Sequence, residues 1–334
     1  MQNKYKYPLA SDTIDTKDIK KLTSWLETMP QFTMGEMTKK FEKKWSEFIG
    51  TDYSIYVNSG SSANLLMAYA LKNLGWLKKN KFLVPSNGWV TTISPFIQFG
   101  IDTIMVDSEE CNYNIDLNIV EDYLKKGEVD GFIFVHVLGV PHRRKELSFL
   151  KEKYGCYILE DSCASVGAKF GNGDYIGTVG DMSTFSFYFG HQLSTIEGGF
   201  INTSDRTLYT ELLKLRSHGW VKDIANEEWR NHEDFPFVFL EPGFNVRPTD
   251  FQAYIGLGQI DKAESIFEKR SQNHIRYTQK LSNRFEWQDW KRATPVSLHI
   301  GILAESNEHR KRVIKKCHEN GIETRIWSHG NLGK

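Results

Sequence analysis

The chain lacks a CxxC pair, a long apolar run and a net charge. Its four cysteines, Cys111, Cys156, Cys163 and Cys317, stand far apart. Zinc ribbons and thioredoxin-type redox motifs therefore have no ligands at the needed spacing, and no metal site is read. A disulfide framework is not expected in a chain of 334 residues, so a reducing compartment is. No stretch reaches the ~18 apolar residues of a membrane span. The opening MQNKYKYPLASDTIDTKD has no apolar h-region, so no secretory signal is expected and the expected location is cytoplasmic. Lys plus Arg and Asp plus Glu both number 42. That balance gives no electrostatic reason to expect nucleic acid or an anionic membrane as partner. A local basic pocket for a phosphate-bearing ligand is left open. Internal repeats and low-complexity segments are also missing.

What the chain does have is a globular composition. Hydrophobic residues make up 40% and charged residues 25%, enough for a sizeable core. At ~150 residues per domain the length points to about two domains. KFLVPS (81–86), IDTIMVD (101–107), GFIFVHVLG (131–139) and CYILEDS (156–162) are predicted strands, each apolar and ending in turn or polar residues. Segments 88–99 and 116–126 are predicted helices between them. Such alternation predicts an α/β fold, a mostly parallel sheet flanked by helices, with ligands beyond the carboxyl ends of its strands. From about 250 the pattern changes. Residues 249–282 are predicted as one long helix, followed by a strand, SLHIGILAE (297–305), and a helix, EHRKRVIKKCHEN (308–320). This gives a large unit over 1–248 and a smaller α+β unit over 249–334, with segment 1–20 expected to pack on the small one. The chain closes on WSHGNLGK just after the next strand would begin, so the small unit is expected to be incomplete.

Three local patterns carry chemistry. NSGSSAN (58–64) precedes a helical run. Gly60 permits a tight turn there, and Ser61 and Ser62 offer hydroxyls and amides. A helix start of this kind is a ready anion site, and equally a plain Ser or Asn cap. Tyr157–Asp161 is a buried-strand pattern ending in two acids. A carboxylate at that end is placed to pair with a cationic ring nitrogen, or to cap the following segment. His191 lies in a polar, glycine-rich run, which fits a loop better than a core. An imidazole with its ordinary pKa of ~6.5 both takes and gives protons near neutral pH.

The series Glu160-Asp161, Gly167-Ala168, Gly180-Asp181, Phe185-Ser186-Phe187, Gly190 and Glu197-Gly198-Gly199 resembles the DegT/DnrJ/EryC1/StrS group of sugar-modifying enzymes. TMGEMTKKFEKKW (33–45), the 58–64 segment, VHVLG (135–139) and GFNVRPTDFQAYIGLGQI (243–260) extend the resemblance from about residue 8 to the end. It implies a fold of the pyridoxal 5'-phosphate (PLP)-dependent transferase type I, with a large domain and a smaller C-terminal α+β domain. By the resemblance, Asp161 pairs with the protonated ring nitrogen, and Gly60, Ser61 and Ser186 hold the phosphate. Trp89, in PSNGWVTT, stacks on the ring. Asn245 reaches the phosphate of the neighbouring subunit's cofactor, which implies a homodimer with a shared active site. His218, Arg247 and Arg325 are substrate-binding candidates. The two arginines suit a carboxylate or diphosphate held by a bidentate fork, or a surface salt bridge; no role is derived for His218. Ala164 stands where many relatives carry Gln or His, so one polar contact to the cofactor is missing. The run Lys311-Arg312 and Lys315-Lys316 is expected on a solvated helix face.

One departure decides the functional expectation. The group usually has a lysine after the FSF–G segment that bonds covalently to PLP. Here the position is His191, and no lysine occurs between Lys169 and Lys214. The strings YFGHQLSTIEGG and RSHGW resemble the lysine-less 3-dehydratases of the group, known from colitose biosynthesis. The resemblance implies that L-glutamate converts PLP to pyridoxamine 5'-phosphate (PMP). His191 then serves as acid and base while the C3 hydroxyl leaves a nucleotide-linked 4-keto-6-deoxyhexose. GDP and the mannose configuration come from the resemblance alone, and the class is a carbon–oxygen lyase. Alternatives are a nucleotide-sugar aminotransferase that uses another lysine, and a non-catalytic nucleotide-sugar-binding homologue. A lysine-less iron–sulfur branch needs four closely arranged thiolates, which these cysteines do not form.

Overall fold

The computed structural model describes residues 5–224, 227–235 and 237–326. The closing segment 327–334, on which the incomplete end was read, lies outside the described residues, as do residues 1–4.

Strands β1 (Tyr53–Val57), β2 (Lys81–Pro85), β3 (Asp102–Val106), β4 (Gly131–Val135), β5 (Tyr157–Asp161), β7 (Met182–Ser186) and β8 (Gly199–Thr203) form one seven-stranded sheet. Its order is β1-β8-β7-β5-β4-β2-β3. The β2, β3, β4, β5 and β7 pairings are parallel, and β8 runs antiparallel to both neighbours. A two-stranded antiparallel piece joins β6 (Lys169–Phe170) to β9 (Ala293–Thr294).

The helices are α1 (Thr16–Leu26), α2 (Glu36–Ile49), α3 (Gly60–Asn73), α4 (Val90–Gln98), α5 (Leu117–Lys126) and α6 (Arg144–Tyr154). They continue as α7 (Arg206–Arg216), α8 (Glu227–Arg230), α9 (Asp250–Asp261), α10 (Ala263–Lys280) and α11 (Asn307–Glu319). Alternate strand residues point to opposite faces. On one face Tyr56, Leu83, Phe132, Phe134, Ile158, Phe185 and Phe200 pack with Phe41 and Trp45 of α2. On the other, Ile55, Val57, Val84, Ile133, Leu159 and Ile201 pack with Ala63, Leu66, Met67 and Ala70 of α3. Both faces of the sheet are covered, which is why its strands read as continuous apolar runs.

The predicted strand at 131–139 ends at Val135. Leu138 and Gly139 take left-handed φ of 56° and 91°, and the chain turns because side chains capture its amides. The Val137 amide donates to Asn114 Oδ1 at 2.9 Å and the Gly139 amide to Ser165 Oγ at 2.8 Å. The single long helix predicted at 249–282 is two helices, broken at Lys262, whose ψ of 4° leaves the helical range. Thr249 and Gln252 form a capping box at the start of α9. Ala253 and Ile260 of α9, with Ala263 and Phe267 of α10, join the core around Phe41 and Trp45.

SLHIGILAE is not a strand. Among the described residues it makes one bridge, Leu303 with Glu286. Its first residues are held by side chains instead, as described below. The N-terminal segment runs beside the end of α11. The Tyr7 amide donates to the Gly321 carbonyl and the Glu323 amide to the Tyr7 carbonyl, both at 2.9 Å. The Leu9 amide donates to Glu323 Oε2 at 2.9 Å. Helix α11 buries no residue, in keeping with its expected solvated basic face. No described helix is long and apolar enough to cross a membrane.

Candidate active site

A parallel sheet collects its strand ends on one side, and a large cavity lies there. Its volume is about 750 Å³. Ser59 and Gly60 reach it from the end of β1, Trp89 from the loop after β2, Val135 from the end of β4, Asp161 from the end of β5 and Ser186 from the end of β7. His191 lines it from the loop between β7 and β8. Leu298, His299, Glu323 and Arg325 close it from the second part of the chain, and Pro8–Ala10 from the N-terminal segment.

Asp161 is buried and held by three donors. Its Oδ2 accepts from Asn64 Nδ2 at 2.9 Å and Thr92 Oγ1 at 2.7 Å, and its Oδ1 from the Cys163 amide at 3.1 Å. Asn64 is itself aimed, because its Oδ1 accepts from Thr184 Oγ1 at 2.6 Å. The three donors fix the plane of the carboxylate. The sequence reading missed Asn64 and Thr92. Asn64 had a signal: it stands four residues after Gly60, on the same face of α3.

Glu160, one residue earlier, points the other way. Burial raises its pKa, but His136 and the Gly180 and Val179 amides outweigh that and hold it below the ordinary carboxylate value. Its oxygens accept from the Gly177, Val179 and Gly180 amides and pair with His136 Nε2 at 3.0 Å. The two acids of one strand end thus divide: Glu160 pins the 177–180 loop and Asp161 faces the cavity.

The start of α3 is a close-fitted cradle. Ser59 caps it, accepting from the Ser62 amide at 3.0 Å. A Cβ on Gly60 would lie 2.7 Å from Ser186 Cβ and 3.0 Å from Cys163 Sγ. Gly199 of β8 packs against the Ser59–Gly60 backbone from behind, where a side chain would overlap the peptide. Gly60, Ser61 and Ser186 therefore converge on one corner, where a helix N-terminus favours an anion. Trp89 is half exposed at the opening. Cys163 lines the same floor, but burial and the Asp161 carboxylate push its thiol well above the ordinary value, so it stays protonated and a poor nucleophile.

His191 is partly buried, and its Nδ1 is enclosed without a hydrogen-bond partner. Burial first, then the nearby His299 and Arg270 side chains, lower its pKa to about 4. This corrects the expectation of an ordinary value near ~6.5. At neutral pH the ring is neutral and ready to accept a proton. Once protonated it is a stronger acid than an ordinary imidazolium, so it gives the proton up readily.

Among the described residues, none lining the cavity is a lysine. Ala164 lines it without a polar side chain. Its carbonyl accepts from Gln192 Nε2 at 2.9 Å.

Three expected residues lie elsewhere in the single chain. Asn245 and His218 are exposed, and their segments pair through a Ser217–Asn245 bridge. Arg247 donates to Ser217 Oγ at 2.8 Å. The three form a neighbouring group and do not line the cavity.

Comparison with known proteins agrees with this geometry. The profile of the DegT/DnrJ/EryC1/StrS aminotransferase family matches residues 12–330. GDP-4-keto-6-deoxy-D-mannose 3-dehydratase of Yersinia pseudotuberculosis is 35% identical over 98% of this chain and 86% of its own length. The structure of the E. coli GDP-4-keto-6-deoxy-D-mannose-3-dehydratase with bound hydrated PLP is similar, with a TM-score of 0.86 at 31% identity over 98% of this chain and 87% of that one. A structure of GDP-4-keto-6-deoxymannose-3-dehydratase with a trapped PLP-glutamate geminal diamine gives a TM-score of 0.87 at 31% identity, over 98% of this chain and 87% of that one.

Proposed function

We propose, from the premise that the chain belongs to the DegT/DnrJ/EryC1/StrS aminotransferase family, that it is a PLP- and glutamate-dependent 3-dehydratase. Its substrate is a nucleotide-linked 4-keto-6-deoxyhexose, GDP-4-keto-6-deoxy-D-mannose by similarity to its relatives. One observation carries the reading. The cavity brings His191 to the same space as Asp161, Ser186 and Gly60, with no lysine among its described lining residues.

The residues present fit the cofactor. The Gly60 corner is a cradle that a Cβ would fill. The Asp161 carboxylate is held by Asn64 and Thr92, ready for a cationic ring nitrogen. PLP, or its amino form PMP, would supply an electron sink when bound. Asp161 would pair with its ring nitrogen. Gly60, Ser61 and Ser186 would bind the phosphate at the start of α3, and Trp89 would stack on the ring. His191 takes a proton as base and returns it to the C3 hydroxyl oxygen as that group departs. Its lowered pKa suits the second step.

The same proposal includes L-glutamate as co-substrate and Arg325 as a substrate contact in the cavity wall. It includes a homodimer in which Asn245, with His218 and Arg247 beside it, completes the site of a second copy. That assignment agrees with their exposed position outside the single chain's cavity. A division into two units near residue 249 and a cytoplasmic location, without nucleic-acid or membrane partners, complete it.

The test is incubation with L-glutamate, PLP and a panel of nucleotide 4-keto-6-deoxyhexoses, followed by mass spectrometry. The expected product is a sugar short of one oxygen, with free ammonia. An amino sugar with the C3 hydroxyl intact would overturn the reading in favour of an aminotransferase.

A further inference from the structure

We infer that Gln192 is a positioning residue for His191. Its side-chain amide locks the His191 loop onto segment 296–299, so that the second part of the chain fixes the reach of the base. The inference rests on the dehydratase reading for its kinetic consequence, but not for its structural one.

Residues 188–191 form the tip of the loop between β7 and β8. The base of that loop is closed by the Thr195 amide on the Phe187 carbonyl at 2.9 Å and by Tyr56 OH on Thr195 Oγ1 at 2.7 Å. At the tip, Tyr188 and Phe189 are exposed, and the His191 amide makes a turn bond to the Tyr188 carbonyl at 2.9 Å. Gln192 follows at once, fully buried and behind the cavity surface that His191 lines. Its Nε2 donates to the Ala164 carbonyl and the Val296 carbonyl, both at 2.9 Å. Its Oε1 is buried without a partner. An unpartnered buried oxygen is a cost, so packing alone would favour an apolar side chain here. The two N–H donors are what the position uses.

The far end of the clamp is itself fixed. The Val296 amide donates to the Gly139 carbonyl at 2.9 Å. The Ser297 carbonyl accepts from Arg270 Nη1 at 2.9 Å, and Ser297 Oγ pairs with His274 Nδ1. These bonds hold the start of SLHIGILAE, Ser297 and Leu298, to α10 where a strand was expected. That segment's backbone groups serve side chains that set Leu298 and His299 in the cavity wall facing His191. His299 is also, after burial, among the groups that lower the His191 pKa. Gln192 thereby links the base to the group that tunes it.

The experiment compares Gln192→Met and Gln192→Leu, both of which fill the space and lose the N–H donors. With the PLP-loaded protein, L-glutamate and GDP-4-keto-6-deoxy-mannose, kcat should fall about 10²-fold with KM little changed, as expected when a reacting group is misplaced by about an ångström. In a His191→Asn background the same substitutions should cause no further loss. Independently of turnover, the His191 imidazole pKa, read by NMR on the cofactor-free protein, should rise toward its ordinary value in both variants. A wild-type kcat and an unmoved His191 pKa would overturn the inference, as would an equal loss in the His191→Asn background. Failure of the wild type to turn over would count against the dehydratase reading, while the NMR result would still decide the role of Gln192.

Discussion

The cavity has two unlike walls. The floor is made by strand ends and one helix start, and each of its groups sits at a position that the sheet topology dictates. The opposite wall, residues 296–299 and 323–325, belongs to no sheet or helix and is held by long-range side-chain bonds. The first wall is built by local rules and the second by tertiary partners. The floor would carry the cofactor and the far wall would set the environment of the base.

Substitutions can break this contrast. The largest effect is expected at the floor. Asp161→Ala removes the carboxylate that accepts from Asn64, Thr92 and the Cys163 amide. Turnover should drop about 10²-fold or more, as for loss of a preorganised charge partner, and the absorbance of bound cofactor should shift. Gly60→Ala comes next. Its methyl would press on Ser186 Cβ, so PLP affinity in a fluorescence titration should weaken by roughly tenfold or more, about 1.4 kcal/mol.

The far wall answers to stability first. Gly139 has φ of 91°, and a side chain there would run into the Val296 carbonyl. Gly139→Ala should destabilise the fold by about 1–3 kcal/mol in denaturant unfolding, with PLP affinity less affected than in Gly60→Ala. Acid should act in the same place. Burial lowers His274, the partner of Ser297, to about 4, and His191 is also lowered to about 4. His142 is pushed well below its ordinary value by burial and by His136 and Arg143. Between about pH 6.5 and 4 the unfolded chain binds protons at these histidines that the folded chain does not. Their contribution to stability is therefore full above ~6.5 and falls as the pH drops toward about 4. Thermal unfolding at pH 7 and pH 5 should show the loss, and a smaller loss in His274→Asn.

The same contrast explains what the sequence revealed. The floor was legible because apolar strands, a capped glycine turn and a strand-end acid are local patterns. Asp161 and Gly60 stood out as local patterns, while the roles of Ser186 and His191 came from the family resemblance. Asn64 and Thr92 were not, since only the fold brings α3, α4 and β5 to one carboxylate. The wall was misread for a physical reason. SLHIGILAE has the apolar pattern of a strand, but Arg270 and His274 of α10 hold its first residue, Ser297, and Gln192 holds the carbonyl of Val296 just before it. The break at Lys262 was hidden because both helices share a helical pattern. The lowered His191 pKa depends on burial first and then on His299 and Arg270, whose approach no spacing encodes.

Deoxygenation by the His191→Asn variant is the most direct test of the account. With L-glutamate, PLP and GDP-4-keto-6-deoxy-mannose, the account predicts that 3-deoxy sugar formation falls by about 10²–10⁴-fold while cofactor still binds. Unchanged formation of the 3-deoxy sugar by that variant would contradict it.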